Sequence, residues 1–412
     1  MSRPLRWFAP VVIAVLLSSC GGSNGHSSGV VSGGSPPTAP AGPDAGTQPV
    51  QSSNPCDGLV PSPPGRPVTV KSSLALSAGA LGALGDGEGN VLTGSESKFA
   101  SVGYRIYSSD GRPLADQGFP PEGGGLTIPL ASGFAGIARL TFADNFTLLR
   151  VLPDGGVTVL PNSGVAVADP RGGLVLFGDG VLTAYDDALN PRWAASVPLP
   201  SQQQVFGMAV DVTGNVLLLL GMNAHVFDLG GFWVDAAGNP GMAFLVAPGV
   251  VIDEDSFSLA PDVRGGLFLW HRACRGTAPC TSEWQGRYPA LATTLEAAPG
   301  WLSSRPLVAL RPLEGKTAYA LTGIPVPECA FEVVTADGVS CGFADFSAAL
   351  ATSALMPANL LANAGAGFPC RAALNIGRDG TVLSLRSRDT GLPCTSDSQC
   401  PVLYDWFPGY FR

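Results

Sequence analysis

The chain has 412 residues, 13% charged and 45% hydrophobic, with Gly 54 and Pro 37. An ordinary soluble domain is about 25% charged, so this chain is turn-rich and poor in charge. Lys+Arg 23 against Asp+Glu 32 gives a net charge of -9, and without clustered cations to meet phosphates a nucleic-acid binder is excluded.

Arg3 and Arg6 precede an apolar stretch from Trp7 to Leu17, too short for a permanent membrane helix of about 20 residues. Residues 1–19 therefore read as a signal peptide. The stretch ends in Leu17-Ser18-Ser19-Cys20, which resembles the bacterial lipobox, where small residues fit the peptidase cleft and the Cys thiol takes a diacylglycerol. The resemblance implies cleavage before Cys20 and acylation, palmitate included. Loss of the two leader arginines takes the charge from -9 to -11, so lipid must do the anchoring, and several acyl chains exceed the marginal affinity of one. By analogy with lipoprotein sorting, Gly21 after the Cys implies the outer membrane or cell surface. From Cys20 to residue 67 the chain is mostly Gly, Ser, Pro, Thr and Ala. Such a segment cannot form a core and reads as a disordered tether.

Residues 68–412 read as one domain built on a repeated phrase. A turn of the form Asp-x-x-Gly-(Asn/Gly) runs directly into an apolar strand, with clear copies at Asp86 to Asn90, Asp169 to Gly173, Asp211 to Asn215 and Asp262 to Gly266. Weaker copies fall at Gly136, Gly315 and Gly380. A second phrase, strand then Asp and Gly then strand, falls between them at Tyr104 to Leu114, Leu149 to Leu160, Thr183 to Val197 and Phe331 to Ser340. Two hairpins per repeat make four strands, and alternation without long helical periods predicts an all-β fold. The fourth-position glycines are spaced by 36 to 65 residues, a propeller-blade period of roughly 40 to 50. Seven blades allow 49 residues each, six 58 and eight 43; the counted copies favour a seven-bladed β-propeller. Val216 to Leu220 reads as a strand buried on both faces, and Phe346 to Ala364 as a short helix and loop.

The paired phrases resemble NHL-type and PQQ-like β-propeller repeats over most of residues 75–412. The resemblance implies a fold and brings no catalytic residues with it. In quinone-binding relatives a blade reads Ala-x-Asp-x-x-x-Gly-x-x-x-Trp; Ala184, Asp186 and Trp193 match in part, with Asn190 in place of the Gly and the Trp one position early.

The repeated Asp and Gly residues fall where hairpins turn, Asp accepting backbone bonds and Gly supplying positive φ. No HExxH or CxxC pattern occurs, and neither a cofactor nor a metal is expected. Beyond His26 in the tether, the histidines are His225, expected to open the third strand of one blade, and His271, expected to close the second strand of the next. Both would then share one mouth. Asp253, Glu254 and Asp255 form the only acidic run, and Trp233, Trp270 and Trp284 lie nearby, either lining a surface or filling the space between blades. Longer irregular insertions are expected on that face at Met222 to Phe232, Asp253 to Ser256 and Ala273 to Tyr288.

Setting Cys20 aside, eight cysteines remain, an even number suited to an oxidising compartment. Cys274 with Cys280 and Cys394 with Cys400 enclose short loops. Cys329 and Cys341 flank a hairpin and could pair only across a bulge; Cys56 and Cys370 would tie the tether to the last blade. The expectation is a lipid-anchored, non-catalytic envelope scaffold for a protein or saccharide partner. A hydrolase, lyase or quinoprotein working at the axial mouth, or a cell-surface adhesin, are the alternatives.

Overall fold

The computed structural model describes residues 54–72, 83–94, 104–117, 124–138, 147–198, 203–222, 224–276, 278–327, 329–351, 373–386 and 402–412. It is all-β, with seven sheets. Strand β1 (Val68–Ser72) comes first in the chain but belongs to the last sheet. Blade 1 holds β2 (Leu84–Gly85), β3 (Val91–Gly94), β4 (Tyr104–Tyr107) and β5 (Pro113–Gln117). Blade 2 holds β6 (Gly124–Pro129), β7 (Phe134–Ala138), β8 (Thr147–Val151) and β9 (Val157–Leu160). In blade 3 these are β10 (Val165–Ala168), β11 (Leu174–Gly178), β12 (Val181–Tyr185) and β13 (Pro191–Ser196). In blade 4 they are β14 (Gln203–Val210), β15 (Val216–Met222), β16 (Val226–Val234) and β17 (Pro240–Val251). Blade 5 has three strands, β18 (Asp255–Pro261), β19 (Leu267–Ala273) and β20 (Thr281–Tyr288), followed by the short helix α1 (Gly300–Ser303). Blade 6 holds β21 (Leu307–Pro312), β22 (Ala318–Ile324), β23 (Ala330–Thr335) and β24 (Ser340–Asp345), with α2 (Ser347–Ala351) after it. Blade 7 combines β25 (Ala373–Ile376), β26 (Val382–Arg386) and β27 (Val402–Phe407) with β1.

The turns explain why the strands begin where they do. Asp86 accepts from the backbone N–H of Glu88 at 3.0 Å and of Asn90 at 2.8 Å, and the Asn90 amide returns to its second oxygen at 2.9 Å. The same five-residue device closes Asp186–Asn190, Asp211–Asn215 and Asp235–Asn239. Turns after the first and third strands of a blade lie on one face, so the two phrases seen in the sequence are one kind of turn. Gly89 and Gly214 have φ of 84° and 92°, a region that favours Gly. The weak copy at Gly136 is corrected: Gly136 lies inside β7, and the turn glycine is Gly133, φ 84°. A Cβ on Gly136 would meet the Gly125 carbonyl oxygen at 2.0 Å, so it is a close-approach glycine.

Packing follows the ring. Among the described residues there are seven apolar clusters, one for each junction between neighbouring blades. Val216, Leu218 and Leu220 of β15 face blade 3, while Leu217 and Leu219 face blade 5. This two-sided burial is why the run is continuously apolar rather than alternating. First strands touch first strands, β2 with β6, β6 with β10, β10 with β14, β14 with β18 and β18 with β21, so they stand around the axis. In blade 5 the fourth-strand position holds only an isolated bridge between Arg287 and Glu296. The segment expected as helix and loop contains α2; residues 352–364 of it lie outside the described residues.

Cys274 and Cys280 are joined as expected. Cys56 pairs with Cys341, which overturns both the Cys56–Cys370 and the Cys329–Cys341 expectations. Cys341 is skipped in the β23–β24 register, Val333 facing Gly342 and Val334 facing Ser340, so it sits on a bulge. The segment after Cys56 crosses there: Leu59 and Val60 pack into the blade 6–7 cluster, and Lys316 Nζ donates to the Gly58 carbonyl at 3.1 Å. Cys329 is disulfide-bonded as well; Cys20, Cys370, Cys394 and Cys400 lie outside the described residues. The Cys56–Cys341 bond spans 285 residues. Cys341→Ser is expected to cost roughly 2–4 kcal/mol, read as a lower guanidinium midpoint; an unchanged midpoint would count against a constraining role for this bond.

Candidate functional site

The conspicuous carboxylates are engaged in structure. Asp86, Asp169, Asp211 and Asp262 are at most 2% exposed. Asp86 also accepts from Gly133 N–H at 2.8 Å and Asp211 from Gly266 N–H at 3.0 Å, each bonding the turn of the next blade. Asp186 of the partial quinone-blade match caps its own turn through Asn190, and Trp193 packs in the blade 3–4 cluster.

The opposite face carries a different arrangement, made by the β17–β18 connection and the β19–β20 hairpin. Val251 to Asp255 fold tightly, Glu254 N–H donating to Val251 O at 3.1 Å and Val251 N–H to Asp255 Oδ2 at 2.8 Å. Cys274 N–H donates to Glu254 O at 2.8 Å, and the Cys274–Cys280 bond closes the hairpin loop above it. In the strand register His271 lies opposite Phe257 on one side and Glu283 on the other. Its ring stacks on Phe257 with centroids 4.5 Å apart.

Asp255 is the hub. Its carboxylate, 2% exposed, meets His271 Nε2 at 3.0 Å and accepts with both oxygens from one nitrogen of the Arg275 fork, Nη2, at 3.1 and 2.9 Å. Burial works to raise the Asp255 carboxyl. The Val251 N–H, the His271 bond and the Arg275 charge outweigh it and hold the group below its ordinary value. Facing an ionised carboxylate, Nε2 carries the proton, which leaves Nδ1 as acceptor for the Gln285 amide at 3.4 Å. Arg275 also donates to Glu254 at 3.0 Å and stays half exposed, at 53%.

Of the residues singled out in the sequence, Glu254, Asp255 and His271 meet in this cluster. Asp253 is exposed at its edge. His225 reaches the same face, its carbonyl accepting from Ile252 N–H at 3.1 Å, with its side chain exposed and outside the network. The tryptophans are placed elsewhere. Trp233 is buried in the blade 4–5 cluster next to the Asp235 turn on the other face, donating to Ala292 O at 2.8 Å. Trp270 and Trp284 pack toward blade 6. The irregular insertions expected at Met222 to Phe232 and Ala273 to Tyr288 are largely strand, in β16 and β20. Arg275, Phe257, Glu283 and Gln285 were not singled out; only an arginine next to Cys274 in a chain with few cations could have pointed to one of them.

Among the described residues no group of three or more His, Cys, Asp and Glu is placed to hold a metal ion, and no helix is long and apolar enough to cross a membrane. No family model matches the chain, and no curated protein matches it. Among solved structures it is similar to a streptogramin B lyase, at 10% identity and TM-score 0.38, covering 82% of this chain and 97% of that one. A puromycin hydrolase matches at 12% identity and TM-score 0.42, over 79% of this chain and 53% of its own. The N-terminal part of BBS1, in complex with ARL6, matches at 12% and 0.34, over 83% and 98%. The fold of this chain is read from its own seven sheets: a seven-bladed β-propeller.

Proposed function

We propose that this propeller is a lipid-anchored envelope scaffold that binds a protein partner on the face between blades 4 and 5, without catalysis. The observation that carries the reading is Arg275: an exposed guanidinium fixed on two carboxylates by a disulfide-closed loop. Its fork is thereby held in place before any partner arrives, which lowers the ordering cost of binding. On the same face, at the end of β15 and the start of β16, Met222 and Val226 are 41% and 56% exposed, and apolar side chains sharing a face with a fixed arginine suit a protein surface. The Asp255–His271 pair has the look of a base with its orienting acid, but both ring nitrogens are engaged within the protein, and no hydroxyl or thiol bonds the imidazole among the described residues. That favours recognition over proton transfer.

The anchor reading rests on Leu17 to Cys20. The experiment is a crosslinking pull-down from intact cells with three proteins: wild type, an Arg275→Ala/Val226→Asp double variant, and Asp154→Ala on the turn face. The double variant is expected to lose a hot-spot contribution of about 2 kcal/mol or more, above tenfold in partner recovery, at an unchanged melting temperature. Loss in Asp154→Ala with retention in the double variant refutes the assigned face. A Cys20→Ser arm should release the protein from the detergent phase; retention there refutes the anchor.

A further inference from the structure

Among the described residues six of the seven sheets have four strands; blade 5 has three, and β20 is its outermost. Blade 7 takes its fourth strand, β1, from the far end of the domain, so on this ring a fourth strand need not come from the adjoining chain. β20 runs for eight residues, and one of them is paired on the outer side. Arg287 N–H donates to Glu296 O at 2.9 Å, and Glu296 N–H returns to Arg287 O at 2.8 Å. The bridge stays isolated, and the chain goes on to α1, whose Leu302 packs with Trp284 toward blade 6.

The register fixes which backbone groups this leaves over. Arg287 turns its N–H and C=O outward, so its pair with Phe268 exchanges no bonds, and the pairs of β19 that do bond β20 are then those at Leu269, His271 and Ala273. Cys274 obeys the same alternation, its N–H pointing the other way, to Glu254 O at 2.8 Å. Opposite the intervening Trp270 and Arg272 stand Trp284 and Ser282. Their N–H and C=O groups therefore face outward, and among the described residues no backbone group bonds them. Between them Glu283 is exposed, accepts from the Gln285 amide and, among the described residues, meets no cation. Arg275 close by is engaged by Glu254 and Asp255.

We propose that the β20 edge from Thr281 to Gln285 takes an extended segment of a partner protein as the fourth strand of blade 5, with a lysine or arginine opposite Glu283. Unpaired edge groups are a template for an added strand. Running antiparallel, as the other pairs of this blade do, the segment would exchange backbone bonds with Ser282 and Trp284. That sets Glu283 and the partner's cation in the closer, non-hydrogen-bonded pair, where opposite charges attract most. A second copy of the chain fits badly. Two β20 edges pairing antiparallel about the centre of this stretch bring Glu283 against Glu283, and like charges directly opposite are destabilising. The proposal deepens the partner-binding reading above and rests on it only in taking the partner to be a protein; the Arg275 side chain has no part in it.

The test uses the full chain purified in detergent and three capped seven-residue peptides of alternating threonine and valine. One has lysine at its centre, one has glutamate there, and the third is the lysine peptide N-methylated at the two residues flanking the lysine. Saturable binding of the lysine peptide is expected, with slowed hydrogen exchange over residues 281–288, binding of the glutamate peptide about fivefold weaker, and none of the methylated one. Glu283→Lys should reverse the preference between the two charged peptides. Ser282→Pro removes an outward N–H and spares the ladder with β19; it should melt within a few degrees of wild type and lose the lysine peptide, whereas Arg275→Ala should keep it. Should Ser282→Pro not fold, Glu283→Lys still decides. Loss in Arg275→Ala with retention in Ser282→Pro would assign binding to the Arg275 surface and overturn the edge. So would absence of saturable binding to wild type, equal binding of the methylated peptide, or an unchanged preference in Glu283→Lys. A wild-type dimer in sedimentation that Ser282→Pro dissolves would make the occupant a second copy and overturn the partner assigned here.

Discussion

Deleting Val68–Ser72 is expected to leave a chain that cannot close its ring. These five residues pair in continuous antiparallel register with β27, from Val68 against Trp406 to Ser72 against Val402. Val68 and Val70 pack in the blade 7–1 cluster beside Trp406, which is fully buried and donates from Nε1 to Ser109 O of blade 1 at 2.8 Å. Without β1 one side of that cluster opens, β27 becomes an unprotected sheet edge, and the buried Asp405 loses the Thr69 hydroxyl that it accepts from. Losing a strand, a cluster wall and a buried polar bond together takes away an amount comparable to a whole domain's stability of roughly 5–15 kcal/mol. Near-UV circular dichroism and limited proteolysis should show loss of fixed packing. A cooperative melt within a few degrees of wild type would overturn this account of ring closure.

Asp262→Ala is expected to be the most damaging single change among the turn residues. Asp262 is fully buried and accepts from Arg264 N–H at 3.0 Å, from Arg287 Nε and from the Tyr319 hydroxyl of blade 6. Arg287 also holds Gly265 O at 2.9 Å, so one carboxylate ties the turn, the third strand and the neighbouring blade. Its removal leaves the buried Tyr319 hydroxyl without its acceptor and leaves Arg287 with Glu296 as its one carboxylate, at 3.1 Å, a loss of about 2–3 kcal/mol, measurable by urea unfolding. Asp262→Asn keeps one acceptor and should lose less. Burial alone would raise the Asp262 carboxyl; the Tyr319 hydroxyl, the Arg264 N–H and Arg287 hold it below its ordinary value of 3.8. A depressed carboxyl stabilises the folded state above 3.8, and that contribution disappears as pH falls through the folded value. The difference between wild type and Asp262→Asn should therefore be constant near neutrality and shrink below pH 3.8. A difference independent of pH down to acid unfolding would contradict the linkage.

What could be read in advance depended on how local its cause was. The Asp turns are closed by bonds within five residues, so Asp86, Asp211 and Asp262 announced the period and the blade count. Gly136 reads as a turn in the sequence because a glycine that admits a neighbouring strand looks the same there as one that turns the chain. The partner of Cys56 could not be deduced, since it depends on where the segment before β1 crosses blade 6. Asp255 and His271 were visible as residue types, but their junction with Arg275 and Gln285 needs the β18–β19–β20 register. Trp284 shows the same limit. A register shift next to Gly286 turns Trp284 toward blade 6 while Gly286 still faces Leu269, and no periodicity in the sequence marks that shift.

Because β1 and β27 belong to one sheet, the order in which the chain is made matters to how it folds. Blades 1 to 6 can each form hairpins from residues synthesised together, whereas the last blade joins strands from opposite ends of the domain. The first of them must wait, unpaired, until residues 402–407 have emerged. Topologies dominated by distant pairing fold slowly, and here the slowest contact is also the one that seals the ring. Premature termination before β27 would thus yield six blades' worth of hairpins with a stranded leading segment, a species made for degradation rather than for partial function.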